Sequence, residues 1–324
     1  MINGLIKPVN VLLAGYSYMK SSAFKRAFVY GMPLAIGAEL TNHCNLSCRE
    51  CTSGSGKMQR ERGFMDIEIF NRIILEMQPY IYNINLYFQG EPLLHPMFSS
   101  FIRNSRNIKT VISTNGHFLS AENSEKIARS GLSKLIIALD GIDQETYSAY
   151  RTNGSVRTVL DGIRNISYAK KKYNSSLKIE IQLLVNRLNE KQIPQIRKLA
   201  ASFNSSLRLK SMQIISKGNF ESWIPDNKRF ARYKIRDGEY KIKSSIPNRC
   251  ARLWFNPVIT WDGKVLPCCF DKDADHIMGD IKQESFREIW NGTKYRLFRR
   301  VLLEDRSTIE ICKNCTSGLQ GVRY

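Results

Sequence analysis

Residues 41–51 read Thr-Asn-His-Cys-Asn-Leu-Ser-Cys-Arg-Glu-Cys, and this segment directs the interpretation of the whole chain. It places Cys44, Cys48 and Cys51 in a CxxxCxxC pattern, three thiols within eight residues. A structural zinc site normally has four nitrogen or sulfur ligands. Three thiolates on one loop suit a 4Fe–4S cluster better, because each binds one iron and the fourth iron stays open. Zinc completed by His43 or a distant cysteine is the alternative, although His43 directly precedes Cys44 and is badly placed to share its metal.

The cysteine segment follows the first of several predicted strands that alternate with predicted helices. Short apolar runs predict strands at 34–40, 84–88, 110–113, 134–139, 178–185 and 207–214. Helical patterns lie between them, one capped by Asp66 and others at about 121–130, 155–173 and 190–202. Six alternations predict an α/β protein with a parallel sheet, open or curled into a partial barrel. In such folds the ligand binds at the C-terminal ends of the strands.

Polar motifs follow the second, third and fourth predicted strands. The turn Gln89-Gly90-Glu91-Pro92 offers a glycine that allows close backbone approach and an acceptor for a cationic group. Ser113 and Asn115 end the third strand, and Arg151, whose guanidinium suits a carboxylate, follows the fourth. Taken alone, Arg151 would be a surface charge, and Ser113 and Asn115 would be turn residues.

Together these motifs resemble the radical S-adenosylmethionine (SAM) superfamily over residues 33–215. The resemblance implies a partial (β/α)6 TIM-like barrel and a 4Fe–4S cluster that binds SAM. It further implies reductive cleavage of SAM to a 5′-deoxyadenosyl radical that abstracts hydrogen from a substrate, with an electron donor such as flavodoxin or ferredoxin. The residues placed at SAM by the resemblance are Gly90, Glu91, Ser113, Asn115 and Arg151; no catalytic side chain is identified. Relatives often have an aromatic residue at Glu50, glycine at Gln89 and serine at Ala138.

Five more cysteines lie in the last quarter of the chain: Cys250, Cys268, Cys269, Cys312 and Cys315. Asp262-Gly263 predicts a hairpin turn, and Ser285 with Glu288 predicts a capping box that opens a helix through Leu303. Twelve residues separate Cys250 from Gly263, and four separate Gly263 from Cys268.

This spacing, followed by CxxC, resembles the SPASM extension or its shorter twitch variant. The resemblance implies one auxiliary 4Fe–4S cluster on Cys250, Cys268, Cys312 and Cys315, because the next SPASM position is Gly321. A four-cysteine zinc site is the alternative. Sulfatase-maturing relatives have a catalytic Asp where Cys269 stands, which puts that activity in doubt.

These segments predict four parts of the chain. They are an N-terminal arm (1–32), the barrel (33–217), a linker (218–249) and an auxiliary-cluster domain (250–324). The arm has no secretory signal pattern. It either touches a membrane surface or, as we favour, packs on the main domain.

Composition narrows the compartment and the partners. The apolar fraction of 43% is that of a globular protein, and no apolar run is long enough to span a bilayer. Eight clustered cysteines without an export signal predict a reducing cytoplasm. The formal charge of +20 comes without an RNA-recognition signature. We interpret it mostly as a solvated basic surface, with an anionic substrate or partner as the sharper alternative.

Two questions about function stay open at this point. The SPASM-like spacing favours a peptide or protein substrate, with an anionic small molecule such as a sugar or alcohol derivative next. The alternative to an enzyme is a non-catalytic iron–sulfur or zinc protein that serves in electron transfer or structure.

Overall fold

The computed structural model describes residues 3–216, 218, 220–243 and 246–315, with side chains from residue 5 onward. Six parallel strands pair in chain order and form most of one sheet. They are β1 (Ala35–Ala38), β2 (Asn83–Asn85), β3 (Lys109–Thr114), β4 (Lys134–Ala138), β5 (Lys178–Val185) and β6 (Ser206–Ser211). The predicted α/β class with a largely parallel sheet is therefore confirmed. The prediction for β5 agrees with the observed bounds, whereas β2 ends three residues early because residues 86–90 leave the sheet.

Helices cross between these strands and cover the sheet. The first seven are α1 (Asn3–Phe24), α2 (Ile67–Met77), α3 (Phe98–Asn104), α4 (Ala121–Arg129), α5 (Gln144–Tyr150), α6 (Val156–Lys172) and α7 (Ile193–Ser202). Asp66 caps α2 as predicted, because its side chain accepts a hydrogen bond from the Glu68 amide. Apolar residues of α2 recur every three or four positions and are buried against the strands: Phe70, Ile73, Ile74 and Met77.

Residues 218–249 contain more structure than the linker predicted for them. A short helix, α8 (Phe220–Trp223), is followed by an antiparallel hairpin of β7 (Tyr233–Arg236) and β8 (Glu239–Ile242). The hairpin turns at Asp237 and Gly238, which both have positive φ, as a tight two-residue turn requires. Tyr233 of this hairpin is buried beside the cysteine loop.

The C-terminal part extends the barrel sheet instead of folding apart from it. After α9 (Arg252–Phe255), β9 (Val258–Ile259) pairs in parallel with β1. The predicted hairpin follows, since β10 (Lys264–Leu266) pairs antiparallel with β9, and β11 (Gly279–Asp280) pairs with β10. The sheet consequently has nine strands, with the hairpin on the outer side of β1.

Three helices close the described chain: α10 (Phe286–Asn291), α11 (Thr293–Asp305) and α12 (Glu310–Lys313). The capping box of Ser285 and Glu288 is present, as predicted. The single helix predicted through Leu303 is wrong, because Gly292 has an extended ψ of 165° and separates α10 from α11. No helix among the described residues is long and apolar enough to cross a membrane.

Candidate active site

The cysteine loop leaves the C-terminal end of β1 and is closed at its neck by hydrogen bonds. The Asn42 side chain accepts from the Gly63 amide at 2.9 Å and donates to the Glu61 carbonyl at 2.8 Å. The buried Glu39 carboxylate pairs with Arg60, whose Nη1 lies 2.6 Å from Oε2. These contacts fix where the loop begins and ends, so the cysteines between them are held over the strand ends.

The three cysteines of the loop lie in an apolar environment. Cys48 is buried, Cys44 and Cys51 are half-buried, and none is in a disulfide. The buried side chains grouped with them include Leu46, Tyr150, Met212, Ile214 and Trp223. Burial raises the pKa of the Cys44 thiol to about 11, and it also raises the pKa of Cys48. Bound iron would offset the cost of holding the thiolate forms in this setting.

Two side chains, one after β3 and one at the end of α5, bring hydrogen-bond donors to these sulfurs. Arg151 places Nη1 at 3.7 Å from the Cys48 sulfur, and Asn115 places Nδ2 at 4.0 Å from the Cys44 sulfur. Arg151 is held by an ion pair, because its Nε lies 2.6 Å from Oδ2 of the buried Asp140. Two of the residues predicted at the cofactor therefore lie beside the cysteine loop.

Gly90 lies where the turn after β2 meets the cysteine loop. It has φ of +73°, and a Cβ there would lie 2.6 Å from the His43 carbonyl oxygen. The Glu91 amide donates to that same oxygen at 2.8 Å, and the Gly90 amide donates to the Ser53 hydroxyl at 3.1 Å. The two loops thus join backbone to backbone, which only glycine allows at position 90.

Glu91 is fully buried and its carboxylate serves the protein's own donors. It accepts from the Leu93 amide at 3.0 Å, the Thr114 hydroxyl at 2.8 Å and the Asn115 amide at 2.7 Å. Burial outweighs these three bonds and raises the pKa of Glu91 to about 7. The side chain consequently links the turn after β2 to the end of β3. A contact with SAM, predicted from the resemblance, stays a prediction for Glu91.

Ser113 lies on β3, in register with Ile136 of β4. Its side chain is half-buried, and Ser113 is not among the residues that line the cavity at the C-terminal ends of the strands. Its predicted contact with SAM also stays a prediction.

A cavity of about 760 Å³ opens at the C-terminal ends of the strands. One wall belongs to the cysteine loop and its neighbours: Cys51, Gln89, Gly90, Tyr150 and Arg151. The same lining carries the basic side chains of Arg208, Lys210, Arg232 and Lys272. Glu50 is the one acid among the lining residues, and it accepts from the amides of Ile215 and Ser216 at 2.7 and 3.0 Å. We call these four basic residues the basic wall.

Members of the basic wall are held in place by few partners. Arg208 lies 3.3 Å from Glu180, and Lys272 donates to the Gln213 side chain at 3.0 Å. Burial lowers the pKa of Lys272, and the partly enclosed position of Lys210 lowers its pKa as well. Arg232 donates to the Asn314 carbonyl, yet its buried Nε has no hydrogen-bond partner among the described residues.

Sequence reasoning missed the basic wall, although β6 carried a signal. Arg208 and Lys210 alternate with leucines on this strand, so both point to one side of the sheet. An inward pair of cations on a strand predicted to line a barrel would have suggested a site for an anion. Arg232 and Lys272 gave no comparable signal, because they come from segments far apart in sequence.

The C-terminal cysteines are buried and come together from three segments. Burial raises the pKa of the Cys268 thiol, and Cys269, Cys250 and Cys315 raise it further; Cys250 has the same effect on Cys312. The Cys269 sulfur lies 3.2 Å from Nη1 of Arg252. The four cysteines that the resemblance assigned to a cluster are therefore neighbours, and Cys269 lies beside them in contact with Arg252.

Both cysteine groups suit iron–sulfur clusters. Each group consists of thiols that are free of disulfides and mostly buried, and the first has side-chain donors at two of its sulfurs. Among the described residues no three His, Cys, Asp or Glu side chains converge tightly enough to hold a single metal ion. A cubane cluster does not require such convergence, because it spreads its ligands over separate irons.

A partial barrel with a three-cysteine loop over its strand ends and a second cysteine group beside it defines an iron–sulfur enzyme. The family model of the Radical SAM superfamily matches residues 38–200, half of the chain, and that of SPASM, an iron–sulfur cluster-binding domain, matches residues 250–316. The chain belongs to the radical SAM superfamily. It is an enzyme whose family implies a 4Fe–4S cluster and SAM, and whose SPASM domain implies auxiliary iron–sulfur clusters, so the non-catalytic alternative and the zinc alternative are set aside.

Curated relatives are identical to this chain at about a quarter of the aligned positions. One is a tungsten-containing aldehyde ferredoxin oxidoreductase cofactor-modifying protein of Pyrococcus furiosus, 23% identical over 81% of this chain and 82% of the relative. Another is an S-adenosyl-L-methionine-dependent 2-deoxy-scyllo-inosamine dehydrogenase of Niallia circulans, 23% identical over 87% and 92%. The mycofactocin maturase MftC of Mycobacterium tuberculosis is 28% identical over 57% of this chain, which spans 46% of that relative.

Solved structures show the same fold. BtrN in complex with AdoMet and 2-DOIA has a TM-score of 0.56 at 20% identity, over 89% of this chain and 94% of that chain. Streptococcus suis SuiB bound to S-adenosylmethionine has a TM-score of 0.64 at 13% identity, over 94% and 76%. At these identities the likeness concerns the fold alone.

Proposed function

We propose that this enzyme uses SAM to remove a hydrogen atom from an anionic substrate held in the cavity at the strand ends. The observation that carries the proposal is the arrangement of that cavity. Its lining combines Cys51 and Arg151 of the cysteine site with the basic wall. A molecule bound there would contact both a source of radical chemistry and a cluster of cations.

The cysteines divide between two clusters in this proposal. Cys44, Cys48 and Cys51 bind the cluster that holds SAM, and Cys250, Cys268, Cys312 and Cys315 bind one auxiliary cluster. When bound, the first cluster and SAM supply the electron that cleaves SAM and the 5′-deoxyadenosyl radical that takes the hydrogen atom. The position of Gly321, on which the expectation of a single auxiliary cluster rests, lies outside the described residues.

The chain's own residues would position SAM and exclude water. Gly90 and Arg151 line the cavity beside Cys51, and Arg151 also lies against Cys48. The guanidinium is held by Asp140 through Nε, so its outer edge is fixed in direction for a carboxylate. Asn115 supports the loop from the end of β3 through a 2.7 Å bond to the Asn45 side chain. Ser113 and Glu91 are proposed to support SAM from behind these residues.

Two substrate classes fit an anionic recognition site. A peptide or protein with acidic side chains agrees with the SPASM domain and with similarity to a maturase. A small molecule is favoured by the cavity volume and by similarity, over 87% of this chain, to a dehydrogenase of 2-deoxy-scyllo-inosamine. That compound is an amine, so the anionic character proposed for the substrate rests on the basic wall alone. Both classes would present carboxylate or phosphate groups to the basic wall.

The proposed partners follow from the chemistry and the charge. An electron donor such as flavodoxin or ferredoxin would supply the reducing electron. The eight cysteines without a disulfide favour a reducing cytoplasm as the place of action.

Paired variants test the basic wall. We expect Arg208→Gln/Lys210→Gln to weaken binding of anionic probes to the reconstituted, SAM-loaded enzyme by about tenfold or more. The reason is that the variant removes two of the cationic side chains that would contact each probe. Glucose 6-phosphate and a short aspartate-rich peptide represent the two substrate classes, and glucose is the neutral probe. The matched control is Arg197→Gln/Lys198→Gln, which removes the same charges from the exposed side of α7. Titration calorimetry measures the dissociation constants.

The probes decide between the classes. Tighter binding of the peptide supports a peptide substrate, and tighter binding of the sugar phosphate supports a small molecule. Equal binding of glucose and glucose 6-phosphate, together with no effect of the double variant on the peptide, would overturn the anionic substrate.

A further inference from the structure

Helix α1 has its polarity reversed relative to an ordinary surface helix. The side chains that it buries against the protein are small or polar: Asn10, Ala14, Ser17 and Ser21. The side chains that it exposes are large and apolar, with Leu5 67%, Leu12 72% and Met19 62% exposed. Surface helices normally bury the apolar face, so this helix presents its apolar face for something other than the barrel.

Hydrogen bonds fix the helix in this orientation. The Asn10 side chain accepts from the Met32 amide at 2.7 Å and donates to its carbonyl at 3.1 Å. Ser17 accepts from the Tyr30 amide at 2.8 Å, and Ser21 accepts from the Phe28 amide at 2.9 Å. Rotation that buried the outer leucines would break these bonds and leave buried polar groups without partners.

Five of the exposed apolar residues form one continuous stripe. They recur at intervals of three and four residues, which places them on one face of the helix, and the stripe consists of Leu5, Val9, Leu12, Tyr16 and Met19. Phe24, the last residue of the helix, and Tyr30, beyond it, are also exposed, at 65% and 47%. Contiguous apolar surface of this kind marks an interaction site.

Every charged residue of the N-terminal arm is positive. Residues 1–38 contain Lys7, Lys20, Lys25 and Arg26 and no Asp or Glu. The Lys20 ammonium donates to the Tyr30 hydroxyl at 3.0 Å and lies 5.5 Å from the Tyr16 ring centre, so one cation sits on the stripe itself. An apolar face flanked by Lys and Arg is typical of helices that lie in the headgroup region of an anionic bilayer.

We propose that α1 docks the enzyme on the surface of an anionic lipid bilayer, with its apolar stripe in the interface and its cations at the headgroups. A second copy of the chain fits the same face less well, because a symmetric dimer would bring two sets of these cations together with no acid between them. This proposal is independent of the substrate and of the radical chemistry.

The position of α1 determines how the docked enzyme would be oriented. Asn10 bonds to Met32 just before β1, and Lys7 lies 3.4 Å from the Asn107 carbonyl just before β3. The helix therefore lies at the N-terminal ends of the strands, and the cavity opens at their C-terminal ends. Docking would leave the cavity facing away from the bilayer and open to substrate.

Vesicle flotation of the full, reconstituted chain tests the proposal. We expect it to float with vesicles of phosphatidylcholine containing about 30% phosphatidylglycerol at about 0.1 M salt, and to float weakly with phosphatidylcholine alone. Leu5→Gln/Leu12→Gln/Met19→Gln should reduce the bound fraction on the anionic vesicles about tenfold. The control Leu75→Gln/Leu188→Gln/Leu297→Gln removes three exposed leucines elsewhere and should bind as the parent does.

Three results would overturn docking on an anionic bilayer. They are no flotation of the parent, equal flotation with both kinds of vesicle, and equal loss in both triple variants. Light scattering in solution tests the other possible occupant of this face, a second copy of the chain. If the parent does not float but forms a dimer, and the α1 variant is monomeric, the face would be assigned to a second copy. Iron content and thermal unfolding equal to the parent's show that the α1 variant is folded, as expected for outward side chains.

Discussion

Single carboxylates connect the separate loops of the site. Asp140 holds Arg151 against the cysteine loop, and its other oxygen accepts from the Leu184 amide at 2.7 Å. Glu91 ties the turn after β2 to the end of β3. Sequence motifs placed Glu91 and Arg151 at the strand ends but could not tell which groups they contact, because those partners come from other strands.

The pH dependence of stability tests the setting of Glu91. Burial raises its pKa from 4.5 to about 7, so between these values the folded chain holds the proton more tightly than the unfolded chain. The contribution of Glu91 to stability is therefore largest at low pH and is lost as pH rises through about 7. We expect the unfolding free energy of the parent, relative to Glu91→Gln, to fall between about pH 5 and about pH 7 and to level off above that, measured by denaturant titration.

Glu122→Gln is the matched control for this measurement. Glu122 is exposed, and its bond to Lys126 lowers its pKa, so its contribution is present at neutral pH and is lost only as pH falls toward and below its lowered pKa. Over the pH range in which the Glu91 contribution is lost, the parent should therefore keep the same stability relative to Glu122→Gln. An unchanged difference for Glu91→Gln would contradict the buried, proton-binding carboxyl.

At the scale of elements, the cysteine loop depends on the turn that packs against it. Hydrogen bonds within residues 41–65 close the base of the loop, but the turn at Gly90 determines where the loop lies over the strands. The strand and helix order could be predicted from periodicity alone, because a parallel sheet buries apolar strands between helices of regular pattern. The hairpin in residues 218–249 was missed although apolar residues alternate with charged ones on both strands, because a run of four residues is too short for this pattern to stand out.

Gly90→Ala tests the contact between the turn and the loop. The new methyl group would meet the His43 carbonyl at 2.6 Å, so the loop must shift. Gly131→Ala is the control, because Gly131 has a similar φ of +86° and nothing within 4 Å of an added Cβ. Both variants pay about 1 kcal/mol for the positive φ. We expect Gly90→Ala alone to lower iron content and SAM affinity; equal behaviour of the two variants would contradict a close backbone contact.

Over the whole molecule, residues distant in sequence meet around one cavity. The cysteine loop, β6, the hairpin segment and the turn after β10 each contribute to its walls. The sequence could predict the first cysteine group, because its spacing is local, and the second through its resemblance to the SPASM spacing. It could not predict the basic wall, which forms only when Arg232 and Lys272 fold against β6, or the outward face of α1, because an apolar pattern does not say which side is buried.

Iron analysis tests the division of cysteines between two clusters. Cys250→Ala/Cys312→Ala removes two of the four C-terminal ligands, and we expect iron per chain to fall from about eight to about four. Cys269→Ala should keep about eight, because four other thiols complete the cluster and the Cys269 sulfur contacts Arg252. Equal iron in the two variants would contradict the assignment of Cys269 outside the cluster.

The most direct test of radical SAM chemistry at Cys44, Cys48 and Cys51 is chromatographic detection of 5′-deoxyadenosine. The chain is reconstituted with iron and sulfide without oxygen, reduced with dithionite and given SAM, beside a Cys48→Ala variant prepared in the same way. We predict 5′-deoxyadenosine from the parent and none from Cys48→Ala, which keeps its C-terminal cysteines. No 5′-deoxyadenosine from fully loaded, reduced parent, or equal amounts from both proteins, would contradict this site.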